Sequence, residues 1–351
     1  MGPAAGDGTR RKTACVPCGY GYVASALVKL LLEKGYAVKT TLRNPDGKVK
    51  NKHLKDLQAL GPLEVFRADL DEEGSFDDAV AGCDYVFFDA PPVNLHAENP
   101  EKDVIEPAVH GILNVMRSCV RAGTVKRVVL TSSAAAVSTL PQEGDGHVLD
   151  EESWADVEFL TSGKTHAWVH THEYFDFQFV ESFETMMTLA YRCVGVPCIS
   201  LVTVCPGLMV GAAPAAKVHP SVLDVLSLLS GDEARVRTLK FIVRMSGSIP
   251  LVHVDDICRA EIFVAEEEAA SGRYICCSLN TTVVELARFL AAKYPHYNVN
   301  TDRFCGLLEK PRVCISSAKL LGEGFEYKFK NLDEIYDDII KYGKDLGILP
   351  Y

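Results

Sequence analysis

The chain has 351 residues, of which 48% are hydrophobic and 24% charged, a composition that predicts one large or two modest globular domains. Its formal net charge of −11 argues against nucleic acid and anionic membrane surfaces as partners. We find no apolar run of about 18 residues and no apolar core of a secretory signal, so we expect no membrane span and a cytoplasmic location. Many of the 12 cysteines lie in apolar runs, which favours reduced thiols over disulfides.

Strand-like and helical segments alternate along the first 204 residues. This alternation is typical of a doubly wound parallel sheet with helices on both faces. The patterns predict strands over residues 13–16, 36–42, 63–66, 83–88, 127–130 and 198–204, and helices near residues 23–31, 50–60, 75–81, 104–122 and 180–194.

The pattern loosens after Pro206, where helical stretches mix with short strands. We therefore predict a disordered tail over residues 1–12, a sheet domain over residues 13–210, and a smaller α/β domain. The smaller domain comes mainly from residues 211–351, is interleaved with the first, and lies over the carboxyl edge of the sheet, where such folds bind ligands. The predicted helices cover residues 221–229, 255–267, 281–292 and 332–342, and residues 273–276 are a short strand.

A glycine-rich turn joins the first predicted strand to the first helix. Gly19 and Gly21 let the backbone turn tightly and approach a pyrophosphate that rests on the helix N-terminus. Gly21 and Ala24 match the pattern Gly-x-x-Gly-x-x-Ala, whereas Cys18 stands in place of the first glycine. The turn predicts a dinucleotide site, with a purely structural turn as the alternative.

Arg43 closes the second predicted strand, where an acidic residue would hold the ribose of NAD(H). An arginine fits a 2′-phosphate instead, with Lys50 close enough in sequence to help, so we predict NADP(H) as the cofactor. A solvated arginine is the alternative. Asp69 and Leu70 follow the third strand, where a carboxylate could accept a hydrogen bond from the adenine amino group.

Cys15 and Cys18 form a Cys-x-x-Cys pair, which is also compatible with a redox or zinc role. Zinc normally needs two further ligands, and the sequence has no second pair of this kind. We therefore expect no metal ion.

Several segments together resemble one known family. They are residues 23–25, 30–35, 66–70, 130–137, 158–162, 253–256 and 271–277. The chain resembles anthocyanidin reductases, within the dihydroflavonol reductase branch of the extended short-chain dehydrogenase/reductase family, over nearly its whole length. Three alanines after Ser133 and the Cys276–Cys277 pair favour anthocyanidin reductases over dihydroflavonol reductases.

The resemblance implies an α/β fold of the Rossmann type, with a doubly wound parallel sheet and a smaller C-terminal α/β substrate domain. It implies an NADPH-dependent reductase of the flavonoid pathway, which converts an anthocyanidin to a flavan-3-ol. The family's active-site serine corresponds to Ser133. Its cofactor pocket corresponds to Gly19, Gly21, Tyr22, Val23, Arg43, Asp69, Leu70, Ala90 and Pro206, and we add Tyr20 and Lys50 as candidate cofactor-binding residues.

The chain departs from the family pattern beside the expected cofactor and at the expected proton donor. Asp89 replaces an apolar residue, and its carboxylate would repel a bound pyrophosphate unless it turned away. The family's Tyr-x-x-x-Lys motif is absent, because no lysine follows a tyrosine by four residues. In the family, this lysine lowers the pKa of the tyrosine so that the phenol can donate a proton.

Counting forward from Ser133 places the missing pair at His170 and Tyr174, whereas counting back from Pro206 places it at Phe179 and Phe183. The disagreement indicates an insertion between Trp168 and Ser182, which either a divergent gene or a splice variant over residues 165–185 would produce. His170 and Tyr174 are candidate substitute acids. The sequence therefore leaves two hypotheses: a flavonoid reductase, or a catalytically inactive homologue that binds a dinucleotide, a flavonoid or a partner enzyme.

Overall fold

Short strands and helices follow one another through the described part of the chain. The structure is a computed structural model that describes residues 10–45, 52–89, 102, 106–138, 145–155, 199–215 and 217–350. The strands are β1 (Thr13–Val16), β2 (Ala37–Leu42), β3 (Leu63–Arg67), β4 (Tyr85–Asp89), β5 (Arg127–Thr131), β6 (His147–Leu149), β7 (Ser200–Pro206), β8 (Leu208–Val210), β9 (Ile249–His253), β10 (Gly272–Cys276), β11 (Leu279–Thr281) and β12 (Val313–Ile315).

Several helices begin where the sequence provides a capping residue. Asp232, Thr282 and Asn331 each accept backbone N–H groups at a helix start. The helices are α1 (Tyr22–Glu33), α2 (Lys52–Leu57), α3 (Asp77–Val80), α4 (Glu106–Ala122), α5 (Ala135–Ser138), α6 (Pro220–Ser230), α7 (Glu233–Ser246), α8 (Val254–Glu266), α9 (Val283–Lys293), α10 (Ala318–Gly322) and α11 (Leu332–Asp345).

Seven parallel strands of the described residues form the main sheet, in the order β10-β7-β5-β4-β1-β2-β3. The chain leaves β1 toward β2 and β3 on one side and returns to β4 and β5 on the other. The direction therefore reverses between β1 and β4, and folds of this class bind ligands at such a switch point. This topology confirms the predicted doubly wound α/β fold.

Apolar side chains are buried on both faces of the sheet, as in other parallel sheets. Val16, Phe87 and Val129 belong to the core on the face that α1 and α8 cover. Cys15 and Val86, which point the other way, belong to the core packed against α3 and α4. Packing in these two cores holds the strands of the main sheet in position, and with them the strand ends at its carboxyl edge.

Two smaller sheets accompany the main one. β11, β9 and β8 form one, and β12 and β6 form the other. Strand β10 joins the main sheet although it comes from the later half of the chain, and the division at residue 210 stays a prediction. At the end of the predicted tail, Arg10 forms an ion pair with Asp84, and Lys12 with Glu266. No helix in the described ranges is long and apolar enough to cross a membrane.

Candidate dinucleotide site

The residues predicted for the cofactor and for catalysis come from separate stretches of sequence, and the sheet brings many of them to one edge. The glycine turn follows β1, Arg43 follows β2, and Asp69 comes soon after β3. Ser133 follows β5, and Pro206 ends β7. Because these strands are parallel, their carboxyl ends lie at the same edge.

The turn after β1 is held by its own backbone and by β2. The N–H of Cys18 donates to Thr41 Oγ1 at 3.1 Å, and the N–H of Gly19 donates to the carbonyl of Thr41 at 3.3 Å. The N–H of Gly21 donates to the carbonyl of Cys18 at 3.0 Å. Cys18 has φ of 57°, in the left-handed region that favours glycine, at the position where the pattern expects glycine.

Gly19 has no room for a side chain. An added Cβ would lie 2.0 Å from Thr40 Oγ1, and this hydroxyl is fixed because it donates to the carbonyl of Val16 at 2.6 Å. Gly21 is the N-cap of α1, and no side chain caps this end of the helix. The first turn of α1 therefore offers backbone N–H groups and a positive dipole end to an anion.

The side chains on either side of Gly21 differ in role. Tyr20 is exposed. The buried phenol of Tyr22 donates to the carbonyl of Gly211 at 2.6 Å and stacks on His219, with ring centroids 4.7 Å apart. The side chain of Val23 lies in the core. A ligand at this turn would therefore meet Tyr22 and Val23 through their backbones.

Arg43 and Asp69 are paired at the ends of β2 and β3. Arg43 Nε lies 3.2 Å from Asp69 Oδ2, while 73% of the Arg43 side chain stays exposed. The backbone of Asp69 is fixed by hydrogen bonds in both directions with Ser75 Oγ. The carbonyl of Leu70 accepts from Asn114 Nδ2 at 2.7 Å. Asp69 is thus held in place, and the Arg43 guanidinium remains accessible to a phosphate.

Ser133 is positioned by the loop that leaves β5. Its Oγ accepts the N–H of Ala135 at 3.1 Å, which leaves the hydroxyl proton available for donation. The neighbouring Ala134 donates its N–H to the carbonyl of Pro206 at 2.8 Å. Ser133 and Pro206 therefore occupy adjacent places at the edge.

Asp89 does not turn away from the glycine turn. Its Oδ2 lies 3.8 Å from the position that a Cβ on Gly21 would occupy. Burial raises the pKa of Cys18 to about 12, and the negative charge of Asp89 adds to this effect. Burial likewise raises the pKa of Cys15 well above its ordinary value. Both cysteines are free and hold their protons, which argues against a reactive Cys-x-x-Cys pair.

Glu261, on α8, is a buried acid at the same edge that the sequence analysis did not select. Thr131 Oγ1 donates to Glu261 Oε1 at 2.6 Å, and Oε2 is buried with no hydrogen-bond partner among the described residues. Burial raises the pKa of Glu261 to about 8, and the charge of Asp89 adds to the shift. A glutamate within the buried face of an amphipathic helix, next to Ile257 and Val264, is the sequence feature that could have identified it.

Four predicted residues lie outside the described ranges, namely Lys50, Ala90, His170 and Tyr174. The same is true of Phe179 and Phe183. Within the described residues, no group of three or more His, Cys, Asp or Glu side chains could hold a metal ion.

Known proteins resemble the chain over nearly its full length. An anthocyanidin reductase of Vitis vinifera, described as (2S)-flavan-3-ol-forming, is 49% identical over 97% of both chains. A dihydroflavonol 4-reductase of Gerbera hybrida is 39% identical over 97% of this chain and 88% of its own. The chain belongs to the anthocyanidin reductase and dihydroflavonol reductase family. The chain also resembles the crystal structure of vestitone reductase from alfalfa, with a TM-score of 0.77 over 97% of this chain and all of the other. The two sequences are 30% identical.

Family membership confirms the predicted oxidoreductase class. An NAD(P)H-binding domain family matches residues 19–168, which include the glycine turn, and this match confirms the predicted cofactor class. The geometry fits such a cofactor, because Gly19 leaves no side chain in the turn and the N-terminus of α1 is uncapped. One group opposes the fit: the carboxylate of Asp89 lies beside the turn.

Proposed function

We propose that the chain is an NADPH-dependent reductase of the flavonoid pathway that converts an anthocyanidin to a flavan-3-ol. The observation that carries the proposal is the glycine turn at the switch point, with Arg43, Asp69 and Ser133 along the same edge. The 49% identity to an anthocyanidin reductase supports the substrate class.

In this proposal each residue of the edge has a separate task. Gly19 and Gly21 receive the pyrophosphate, and Arg43 binds the 2′-phosphate, which only NADP(H) carries. When bound, the cofactor would supply hydride to the flavonoid, one hydride for each NADPH consumed until the flavan-3-ol is reached. Ser133 donates its free hydroxyl proton in a hydrogen bond to the substrate oxygen and so orients it. We further propose that residues 211–351 contribute most of the flavonoid pocket and that the protein is cytoplasmic.

The absence of Tyr-x-x-x-Lys favours a second candidate, a catalytically inactive homologue that binds a dinucleotide, a flavonoid or a partner enzyme. General acid catalysis typically contributes 10²–10⁴-fold to a rate. The hydroxyl of Ser133 has too high a pKa to replace a phenol tuned by a lysine. We therefore expect this sequence to reduce anthocyanidins slowly unless His170 or Tyr174 supplies the proton.

The test measures NADPH consumption with cyanidin by the parent chain and by the double variant Phe179→Tyr/Phe183→Lys. Activity only in the double variant would support the inactive homologue, and the transcript over codons 165–185 would show whether a motif was lost by splicing. Rapid turnover by the parent would support the reductase, and His170→Ala and Tyr174→Phe would then identify the acid. Ser133→Ala in each background is the control, because it should abolish turnover at this site.

A further inference from the structure

Two carboxyl groups lie at the carboxyl edge of the main sheet, Asp89 at the end of a strand and Glu261 on a helix. Asp89 ends β4 and is the register partner of Thr131 at the end of β5, so their side chains leave the same face of the sheet. Thr131 in turn donates to Glu261 Oε1 at 2.6 Å. Asp89 Oδ2 lies 3.8 Å from the position that a Cβ on Gly21 would occupy, so Asp89 stands beside the glycine turn, and its charge helps to raise the pKa of Glu261.

The thiols around this pair stay neutral, and the carboxylates of Asp255 and Asp256 on α8 are paired with Lys328 and Arg259, respectively. The charge of Glu261 acts on Cys258 of α8 and on Cys276 of β10. Burial raises the pKa of both thiols well above their ordinary value, and it raises the pKa of Cys18 to about 12. No lysine or arginine of the described ranges forms an ion pair with Glu261, whose pKa is set by burial, the hydrogen bond from Thr131 and the charge of Asp89. A change in the charge of Glu261 is therefore not compensated by these neighbours.

The protonation state of Glu261 changes the field at the turn. While Glu261 holds its proton, Asp89 supplies the negative charge of the pair. When Glu261 releases its proton to solvent, a second negative charge appears in a buried environment, where charges are poorly screened. An anion at Gly21 is then repelled by two carboxylates rather than one.

We propose that the binding of a dinucleotide at the glycine turn is coupled to the protonation of Glu261, with Asp89 as the negative charge that both of them face. The inference rests on the proposed dinucleotide site. Binding to the ionised form takes up one proton from solvent onto the Glu261 carboxylate, and release of the ligand returns it. Affinity therefore falls as the pH rises through the titration of Glu261.

The test is calorimetric titration of the full chain with NADPH at pH 7.5 and 9.5, in two buffers of different ionisation enthalpy. A phosphate monoester has its second pKa near about 6, so the 2′-phosphate keeps its charge over this range. We expect the dissociation constant of the parent to rise on the order of tenfold, with uptake of up to one proton per NADPH bound.

Three variants separate the contributions. Glu261→Gln should bind with nearly constant affinity and no proton uptake, whereas Glu268→Gln, which removes an exposed charge just beyond the same helix, should keep the parent's pH dependence. Asp89→Asn should bind more tightly than the parent at both pH values. Equal affinity of the parent at both pH values without proton uptake would overturn the coupling and leave the proposed function intact. Failure of the parent and all three variants to bind NADPH would overturn both.

Discussion

Cys18 holds a backbone conformation that suits glycine. A φ of 57° costs a residue with a side chain about 1–2 kcal/mol relative to glycine. Because glycine loses more conformational freedom on folding, about half of this advantage is cancelled. The Cβ of Cys18 also stands at a turn where the protein backbone must come close to the pyrophosphate of the dinucleotide. We expect Cys18→Gly to tighten NADPH binding several-fold and to leave the fold at least as stable, as measured by calorimetry and urea unfolding.

Cys18→Ala is the matched control, because it removes the sulfur but keeps the Cβ and the strain. It should therefore bind like the parent. Tighter binding by the alanine variant alone would mean that the thiol, rather than the backbone conformation, limits affinity.

Arg43 carries the predicted preference for NADPH over NADH. Its side chain is 73% exposed and is paired with Asp69 through Nε, which leaves the terminal nitrogens to a 2′-phosphate. A charge-assisted contact of this kind contributes about 1.5–3 kcal/mol, so Arg43→Ala should weaken NADPH binding by roughly 10–150-fold and leave NADH binding nearly unchanged.

The control for Arg43→Ala is Arg288→Ala, which removes an exposed arginine of α9 that is paired with Glu309. Its affinities for both cofactors should match those of the parent. Equal affinities of the parent for NADPH and NADH would contradict the assignment of Arg43.

At the residue scale, sequence patterns identified the glycine turn because its chemistry is local. The resemblance to the family also indicated that Asp89 stands where an apolar residue is expected. It could not show that the carboxylate faces Gly21, because the direction of a side chain at a strand end depends on packing between strands and helices. Glu261 was missed for the same reason: its partners Thr131 and Asp89 are 130 and 172 residues away in sequence.

At the scale of elements, the turn between β1 and α1 depends on the empty space at Gly19. Gly19→Ala would press a Cβ against Thr40 Oγ1, at 2.0 Å, and this hydroxyl is committed to the carbonyl of Val16. We expect a loss of about 1–3 kcal/mol in the free energy of unfolding, the usual cost of overpacking, together with weaker NADPH binding. Urea unfolding and calorimetry measure the two effects.

Gly322→Ala is the matched control for Gly19→Ala. Gly322 lies in α10, and an added Cβ there would meet no atom within 4 Å. Alanine is the better helix former, so this variant should gain up to about 1 kcal/mol. If Gly19→Ala changes the free energy of unfolding by no more than Gly322→Ala does, then the turn after β1 can move enough to accept a side chain.

The sequence predicted elements with a clear apolar pattern better than elements without one. Strands of the main sheet have continuous apolar runs, and α4, α8 and α11 have a clear apolar face, so local periodicity was sufficient. Helix α7 was not predicted, because it buries few side chains, Val236, Leu239 and Ser246. Strands β6 and β12 have three residues each, and they form because their segments pair across the fold.

At the scale of the whole molecule, Glu261 links the stability of the fold to pH. Its pKa rises from an ordinary 4.5 to about 8 on folding, mainly because burial disfavours the charged form. Below pH 4.5 the folded and unfolded chains both hold this proton. Between pH 4.5 and 8 the unfolded chain loses it while the folded chain keeps it, so the contribution of Glu261 to stability declines as the pH rises and is lost above about pH 8.

Glu261→Gln should remove this decline. The amide oxygen can still accept from Thr131, and no charge has to be buried, so the variant should exceed the parent at pH 9 by up to about 3–5 kcal/mol and differ little from it at pH 5. Urea unfolding at the two pH values measures the difference, with Glu268→Gln as the exposed control. Because other groups titrate in both chains, the informative quantity is the gap between variant and parent. If the difference in free energy of unfolding between variant and parent stays constant from pH 5 to pH 9, then Glu261 titrates as an ordinary carboxylate. In that case α8 packs on the sheet with Glu261 ionised at neutral pH.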